Sequence, residues 1–240
     1  MTFQLRRADG GFARVGHRGA SALAPENTVE ALQLAVELGC DMLEFDVLAR
    51  RDRTLVLAHS LHDVTPDVPT LDDVLSFCSA RLPGTVLQVD LKQRGIEAEV
   101  VEALRRHGVM DKAWVSGFDA VPLLRLAQLA PELPRSYTLP RDRFGISKRG
   151  PLAPVVRTAL SALGASLPRR LPKLIARTRV QAVTLHHSVA SPAAIDAAHD
   201  VGAAVYVWTV DDADVAARLV NAGADGIITN DPRIFREFQT

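Results

Sequence analysis

The chain has 240 residues, of which 48% are hydrophobic and 23% charged, a balance that suits a soluble globular protein with a large core and excludes a disordered or fibrous one. Lys plus Arg number 28 and Asp plus Glu also number 28, so no overall charge argues for nucleic acid as a partner. Cys40 and Cys78 stand in apolar stretches without CxxC spacing, which predicts buried free thiols in a reducing compartment rather than a disulfide framework or a zinc site.

The N-terminal stretch MTFQLRRADGGFARV lacks the apolar core of a signal peptide, and no apolar run reaches the roughly 18 residues that a bilayer span needs. Both points predict a cytoplasmic protein without stable membrane insertion. The first strand, FARVG, ends at Gly16. Asn27 is then expected to cap a helix with Glu30 at its third position, and Gly39 to close it. DMLEFDV and LVLAH follow, separated only by Leu48 to Thr54. A parallel crossover needs a dozen or more residues, so these two runs pair as an antiparallel hairpin.

A helix at TLDDVLSF comes next. Strands at TVLQVDL, AWVS, RSYTL, AVTLH and AVYVWTV then alternate with helices, and GIIT precedes a terminal helix. With LVLAH counted as an excursion from the second strand, the parallel strands number eight, which predicts an α/β fold of the (β/α)8 TIM barrel type, a single domain over residues 1–240. From Arg141 to Arg179 ten Lys or Arg residues accompany Asp142 alone. The first half of that stretch, LPRDRFGISKRG, follows a strand and is expected at the catalytic face, where it would steer anionic substrates; a solvated loop and helix face is the simpler account.

In such barrels the reactive side chains sit at the C-terminal ends of the strands. His17 and Arg18 follow the first strand directly, and Gly19 lets the backbone turn. Glu44 and Asp46, two apart on the second strand, point to one side, where they repel each other unless a cation or a proton lies between them. A hard divalent ion, Mg²⁺ or Ca²⁺, suits such oxygen ligands; the alternative is a strand with its polar face outward. A hairpin turn centred on Asp52 and Arg53 places His59 directly opposite Asp46. In LQVDLK, Gln88, Asp90 and Lys92 share a face. Asp90 would complete the oxygen cage and Lys92 would meet an anionic substrate, or the two would pair inside the barrel.

GHRGASALAPENTVEAL, LGCDMLEFDV and LVLAH, in this order, resemble the glycerophosphodiester phosphodiesterase family, and VSGFDAVPLLRLAQLAPELP and VYVWTVDDADVAARLVNAGADGIITNDP resemble its middle and closing segments. The resemblance implies metal-dependent hydrolysis of a small-molecule glycerophosphodiester to glycerol 3-phosphate and an alcohol. It implies His17 and His59 as the acid/base pair, Arg18 as a phosphate ligand, Glu44 and Asp46 as metal ligands, Asp90 in place of the family's longer Glu, and Lys92 as the matching Lys. Ser60 stands where the family usually has Asp, and LHDVTP lacks the Arg that usually follows, so His62 and Asp63 form a displaced rival pair. The link to PTLDDVL is too short for a sizeable insertion subdomain. Trp208 would offer an apolar face to the glycerol carbons, with core packing as the alternative. Glu26 would support His17 or the ion. Two rival functions are a lysophospholipase D-like activity and a non-catalytic phosphate-binding barrel.

Overall fold

A computed structural model describes residues 4–6, 10–140 and 153–238, without the side chains of 153–157 and 237. The first half of the basic stretch, residues 141–150, lies outside the described residues. Strands β1 (Ala13–His17), β2 (Met42–Ala49), β3 (Leu55–Leu57), β4 (Val86–Leu91), β5 (Ala113–Gly117), β6 (Arg135–Leu139), β7 (Ala182–His186), β8 (Ala204–Trp208) and β9 (Gly226–Thr229) form one sheet. The sheet closes because β1 pairs in parallel with both β2 and β9, through Val15↔Met42 and Val15↔Ile228. Helices α1 (Val29–Glu37), α2 (Leu71–Arg81), α3 (Glu97–Arg106), α4 (Ala120–Leu129), α5 (Ala153–Thr178), α6 (Pro192–His199) and α7 (Ala213–Asn221) intervene. This is the expected (β/α)8 barrel, with β3 as an antiparallel excursion from β2. No described helix is long and apolar enough to cross a membrane.

The period-two rule divides the strand residues between two zones. Leu43, Phe45, Val47, Leu87, Val89, Val115, Val183, Leu185, Val205 and Val207 are buried in the cluster between strands and helices. Each side chain of this size contributes roughly 1.5–3 kcal/mol on burial. Inside, Val15, Met42, Trp114, Tyr206 and Ile228 plug the N-terminal end of the barrel. The Trp114 and Tyr206 rings lie 4.6 Å apart by centroid. The plug confines the polar interior to the opposite end, and Cys40 and Cys78 are buried and free as expected.

Two local readings need correction. The cap of α1 is Thr28, whose Oγ1 accepts a hydrogen bond from Ala31 N at 3.2 Å, and not Asn27, which has φ +60°. A left-handed residue sits outside the extended conformation that a cap needs. Thr28→Ala is therefore expected to cost about 1 kcal/mol of stability with unchanged specific activity, whereas Asn27→Ala should lower activity for the reason given below; urea unfolding and initial rates check both.

The hairpin register is also shifted by one. Arg50 N donates to Thr54 O (2.9 Å), Arg53 N donates to Arg50 O (3.0 Å), and Arg53 has φ +73°. The left-handed Arg53 adds a third residue to the loop, so Val47 pairs with Leu57 and Ala58, not His59, faces Asp46, with Ala58 N donating to Asp46 O at 3.2 Å. The strand stops at Leu57 and the chain bends at His59 and Ser60. That bend returns the imidazole to Asp46 by another route.

Candidate active site

β1 ends at His17, and Arg18 (φ +54°) and Gly19 (φ +82°) turn the chain back onto α1. A Cβ at Gly19 would lie 2.4 Å from the backbone of Ala31, so the turn admits only glycine. The left-handed conformation of Arg18 costs of order 1 kcal/mol. In return its backbone N donates to Glu44 Oε2 at 2.9 Å, locking the end of β1 to β2.

Asp46 is the hub. It is fully buried, and its Oδ2 accepts from Asn27 Nδ2 (3.2 Å) and lies 3.0 Å from His59 Nδ1 and 2.8 Å from Arg18 Nε. Its Oδ1 pairs with Lys92 Nζ at 2.7 Å, and its backbone N donates to Asn27 Oδ1 at 3.0 Å. Asn27 thus grips Asp46 from both sides, which explains the strained backbone at 27. Lys92 Nζ also donates to Asp90 Oδ2, while Ser116 Oγ donates to Asp90 Oδ1 and receives Gln88 Nε2. Asp90 and Lys92 are therefore paired inside the barrel, and both line the cavity. Glu26 accepts from Arg18 Nη1 at 2.7 Å, and so reaches the acidic cluster through Arg18.

Glu44, Asp46 and Asp90 bring carboxylate oxygens within 4.8 Å of one another, all three buried. At that separation two unit charges repel by roughly 3 kcal/mol for an effective dielectric constant of about 20. Three carboxylates meet two cations, Arg18 and Lys92, so one negative charge is left over. Burial, with Asp46 and Asp90 close by, pushes the Glu44 carboxyl well above its usual range. Burial acts in the same sense on Asp46, but Lys92, His59 and Arg18 outweigh it and hold that carboxyl well below the usual range. Oxygen ligands at this spacing, with an excess of negative charge, fit a hard divalent cation.

His17 Nδ1 lies 2.7 Å from Asn230 Oδ1, and Nε2 lies 3.9 Å from Glu44 Oε2. Burial and then the Arg18 charge lower its pKa from 6.5 to about 4. A histidine so shifted subtracts stability when it must protonate. The penalty is absent above about pH 6.5, grows as pH falls, and is complete near pH 4, where it amounts to roughly 3 kcal/mol. With a chelator present, His17→Gln is expected to gain about that much stability relative to the parent between pH 7 and pH 4; parallel urea-unfolding curves would contradict a neutral His17.

His17, Arg18, Glu44, His59, Asp90 and Lys92 line one cavity of about 710 Å³ at the C-terminal end of the strands, whose far wall includes Phe118, Leu123 and Trp208, and Asp46 lies buried behind them. Trp208 packs edge-on to Phe118, with centroids 5.7 Å apart, and Lys92 Nζ sits 5.5 Å from the Phe118 ring centroid. His62 and Asp63 are exposed in a short turn, where Asp63 accepts from Ser60 Oγ, and they do not line the cavity. His59 is the histidine that joins the cluster. Sequence reasoning missed Asn27 as a site residue, Ser116 and Asn230. Asn230 directly follows β9, the same strand-end position that singled out His17, and that signal was available in the sequence.

Around the mouth of the parallel barrel are thus gathered two imidazoles, two cations and three buried carboxylates. The sequence matches the model of the Glycerophosphoryl diester phosphodiesterase family over residues 17–75 and 62–234. The chain belongs to this family. A glycerophosphodiester phosphodiesterase of Caldanaerobacter subterraneus subsp. tengcongensis is 25% identical, over 91% of this chain and 93% of that protein. Among solved structures, an Oleispira antarctica phosphodiesterase in complex with the product sn-glycerol-3-phosphate superposes with a TM-score of 0.73 at 21% identity, covering 94% of this chain and 95% of that one. The glycerophosphodiester phosphodiesterase of Agrobacterium tumefaciens gives 0.70 at 22% identity, covering 95% and 100%.

Proposed function

We propose that this protein hydrolyses glycerophosphodiesters to glycerol 3-phosphate and an alcohol, with His17 and His59 as the acid/base pair and Glu44, Asp46 and Asp90 holding Mg²⁺ or Ca²⁺. The observation that carries the reading is the placement of two imidazoles on either flank of one buried carboxylate cluster, His17 beside Glu44 and His59 beside Asp46. The product held by the Oleispira relative supports the same substrate class.

Net hydrolysis breaks one P–O bond and forms another. The attacking oxygen loses a proton as it bonds to phosphorus, and the departing alcohol oxygen gains one. An imidazole on each flank serves these two transfers, and a neutral His is suited to begin as the acceptor. Arg18 and Lys92 bring positive charge to the non-bridging oxygens. A bound divalent ion supplies further neutralisation of that charge. Trp208 and Phe118 offer apolar faces to the glycerol carbons.

The test assays glycerophosphocholine, glycerophosphoethanolamine and glycerophosphoglycerol with Mg²⁺, Ca²⁺ or a chelator, reading glycerol 3-phosphate. Product formation that the chelator abolishes is expected, and His17→Ala or His59→Ala should lower kcat by about 10²–10⁴-fold. Binding without turnover would leave a non-catalytic phosphate-binding barrel, and faster turnover of lysophospholipids would replace the substrate class by a lysophospholipase D-like one.

A further inference from the structure

Asp211 stands in the link between β8 and α7, and Asn230 immediately after β9; neither belongs to the acidic cluster or to the acid/base pair. Asp211 Oδ1 accepts from Asn230 N (2.7 Å) and Thr229 Oγ1 (3.0 Å), and Asp211 Oδ2 accepts from Asn230 Nδ2 at 2.7 Å. Ser21 Oγ donates to Asn230 Oδ1 at 2.9 Å. A carboxylate accepts hydrogen bonds and does not donate them. The end of the Asn230 amide facing Asp211 must therefore be the NH₂, and the end facing His17, 2.7 Å from Nδ1, must be the oxygen.

That oxygen can only accept, so His17 Nδ1 is the donor and carries the ring proton. The lone pair of the neutral ring is then at Nε2, on the side of Glu44 and the cavity. We infer that Asn230, oriented by Asp211, is a positioning residue that fixes His17 in the Nδ1–H tautomer, so that Nε2 enters the reaction as the proton acceptor. The inference rests on the reading of His17 as an acid/base residue, and it deepens it by assigning the direction of transfer. As the attacking oxygen bonds to phosphorus, its proton passes to Nε2 and the Nδ1–H stays with Asn230. An imidazole left to itself in water favours the opposite tautomer, with the proton on Nε2, which has no lone pair to offer there. The amide is also neutral, so it orients the ring without adding a fourth negative charge beside Glu44.

A role in merely tying the link after β8 to β9 would leave the ring proton of His17 unaffected. The deciding measurement is a long-range ¹H–¹⁵N correlation spectrum of the ¹⁵N-histidine-labelled protein at pH 8, with His17→Gln assigning the His17 signals. The parent is expected to show a protonated Nδ1 and an unprotonated Nε2. Asn230→Ala should move the pattern toward the Nε2–H form and lower kcat by about 10–100-fold with KM changed less than about threefold. Asp211→Asn, which lets the amide turn over, should shift the pattern in the same direction, and it carries the test if Asn230→Ala does not fold. An Nε2–H pattern in the parent, or an unchanged pattern in the variant, overturns the inference. The spectrum needs no substrate, so it separates this failure from failure of the proposed hydrolysis, which the product assay reads on its own.

Discussion

Asp46→Asn is expected to lower kcat/KM by roughly 10³-fold or more and to cost about 3 kcal/mol of stability. The activity loss follows from position: one carboxylate meets Asn27, His59, Arg18 and Lys92 at once, so its loss disorders one member of the acid/base pair and both phosphate-directed cations together. Removing one partner of a buried ion pair typically costs 3–5 kcal/mol because the other charge is left uncompensated. The low end applies because Glu44, now facing fewer negative neighbours, can ionise and take up part of the lost charge. Initial rates and urea unfolding measure the two effects, and a variant within tenfold of the parent would remove Asp46 from the centre of the site.

A divalent ion should act on the fold through the same cluster. At about 100 times its dissociation constant, Ca²⁺ or Mg²⁺ is expected to stabilise the protein by about 2.7 kcal/mol, raising Tm by roughly 5–10 °C for a chain of this size. Because the Glu44 carboxyl is held above its usual range, a bound cation should shift it downward, so binding should release protons as pH falls toward that range, read with an indicator dye in weak buffer. Glu44→Gln should abolish both signals. A midpoint indifferent to either ion and to chelator would mean that Lys92 and Arg18 alone satisfy the carboxylates.

The barrel was legible because its signals are periodic and local. Alternating strands, capped helices and a hairpin too short for a crossover gave every strand in order; the strand-end rule pointed to His17, Arg18 and Trp208, and the period-two rule to Asp90 and Lys92. What escaped depends on single backbone torsions. Arg53 at φ +73° lengthens the hairpin loop and shifts its register, and Asn27 at φ +60° leaves the capping role to Thr28 and reaches across to Asp46. Arg53 gives no residue-type warning of a left-handed turn, whereas Asn27 is of a type that adopts one. Asn230 carried the strand-end signal in the sequence, but an amide has no charge to pair, and its partners Asp211 and His17 are apparent only in the structure.

His59 does not stand on the barrel itself. It follows a three-residue strand at the end of the sheet order, held there by β2, by a bridge from Val56 to Thr70, by Leu57 N donating to Pro69 O at 3.0 Å and by the burial of Val56 and Leu57. A strand this short, continuous with a partly exposed bend at His59 and Ser60, opens at less than the free energy needed for global denaturation. Warming should therefore silence turnover by detaching this segment while circular dichroism still reports an intact barrel, and backbone amides of residues 55–59 should exchange with deuterium well before those of β4 and β5.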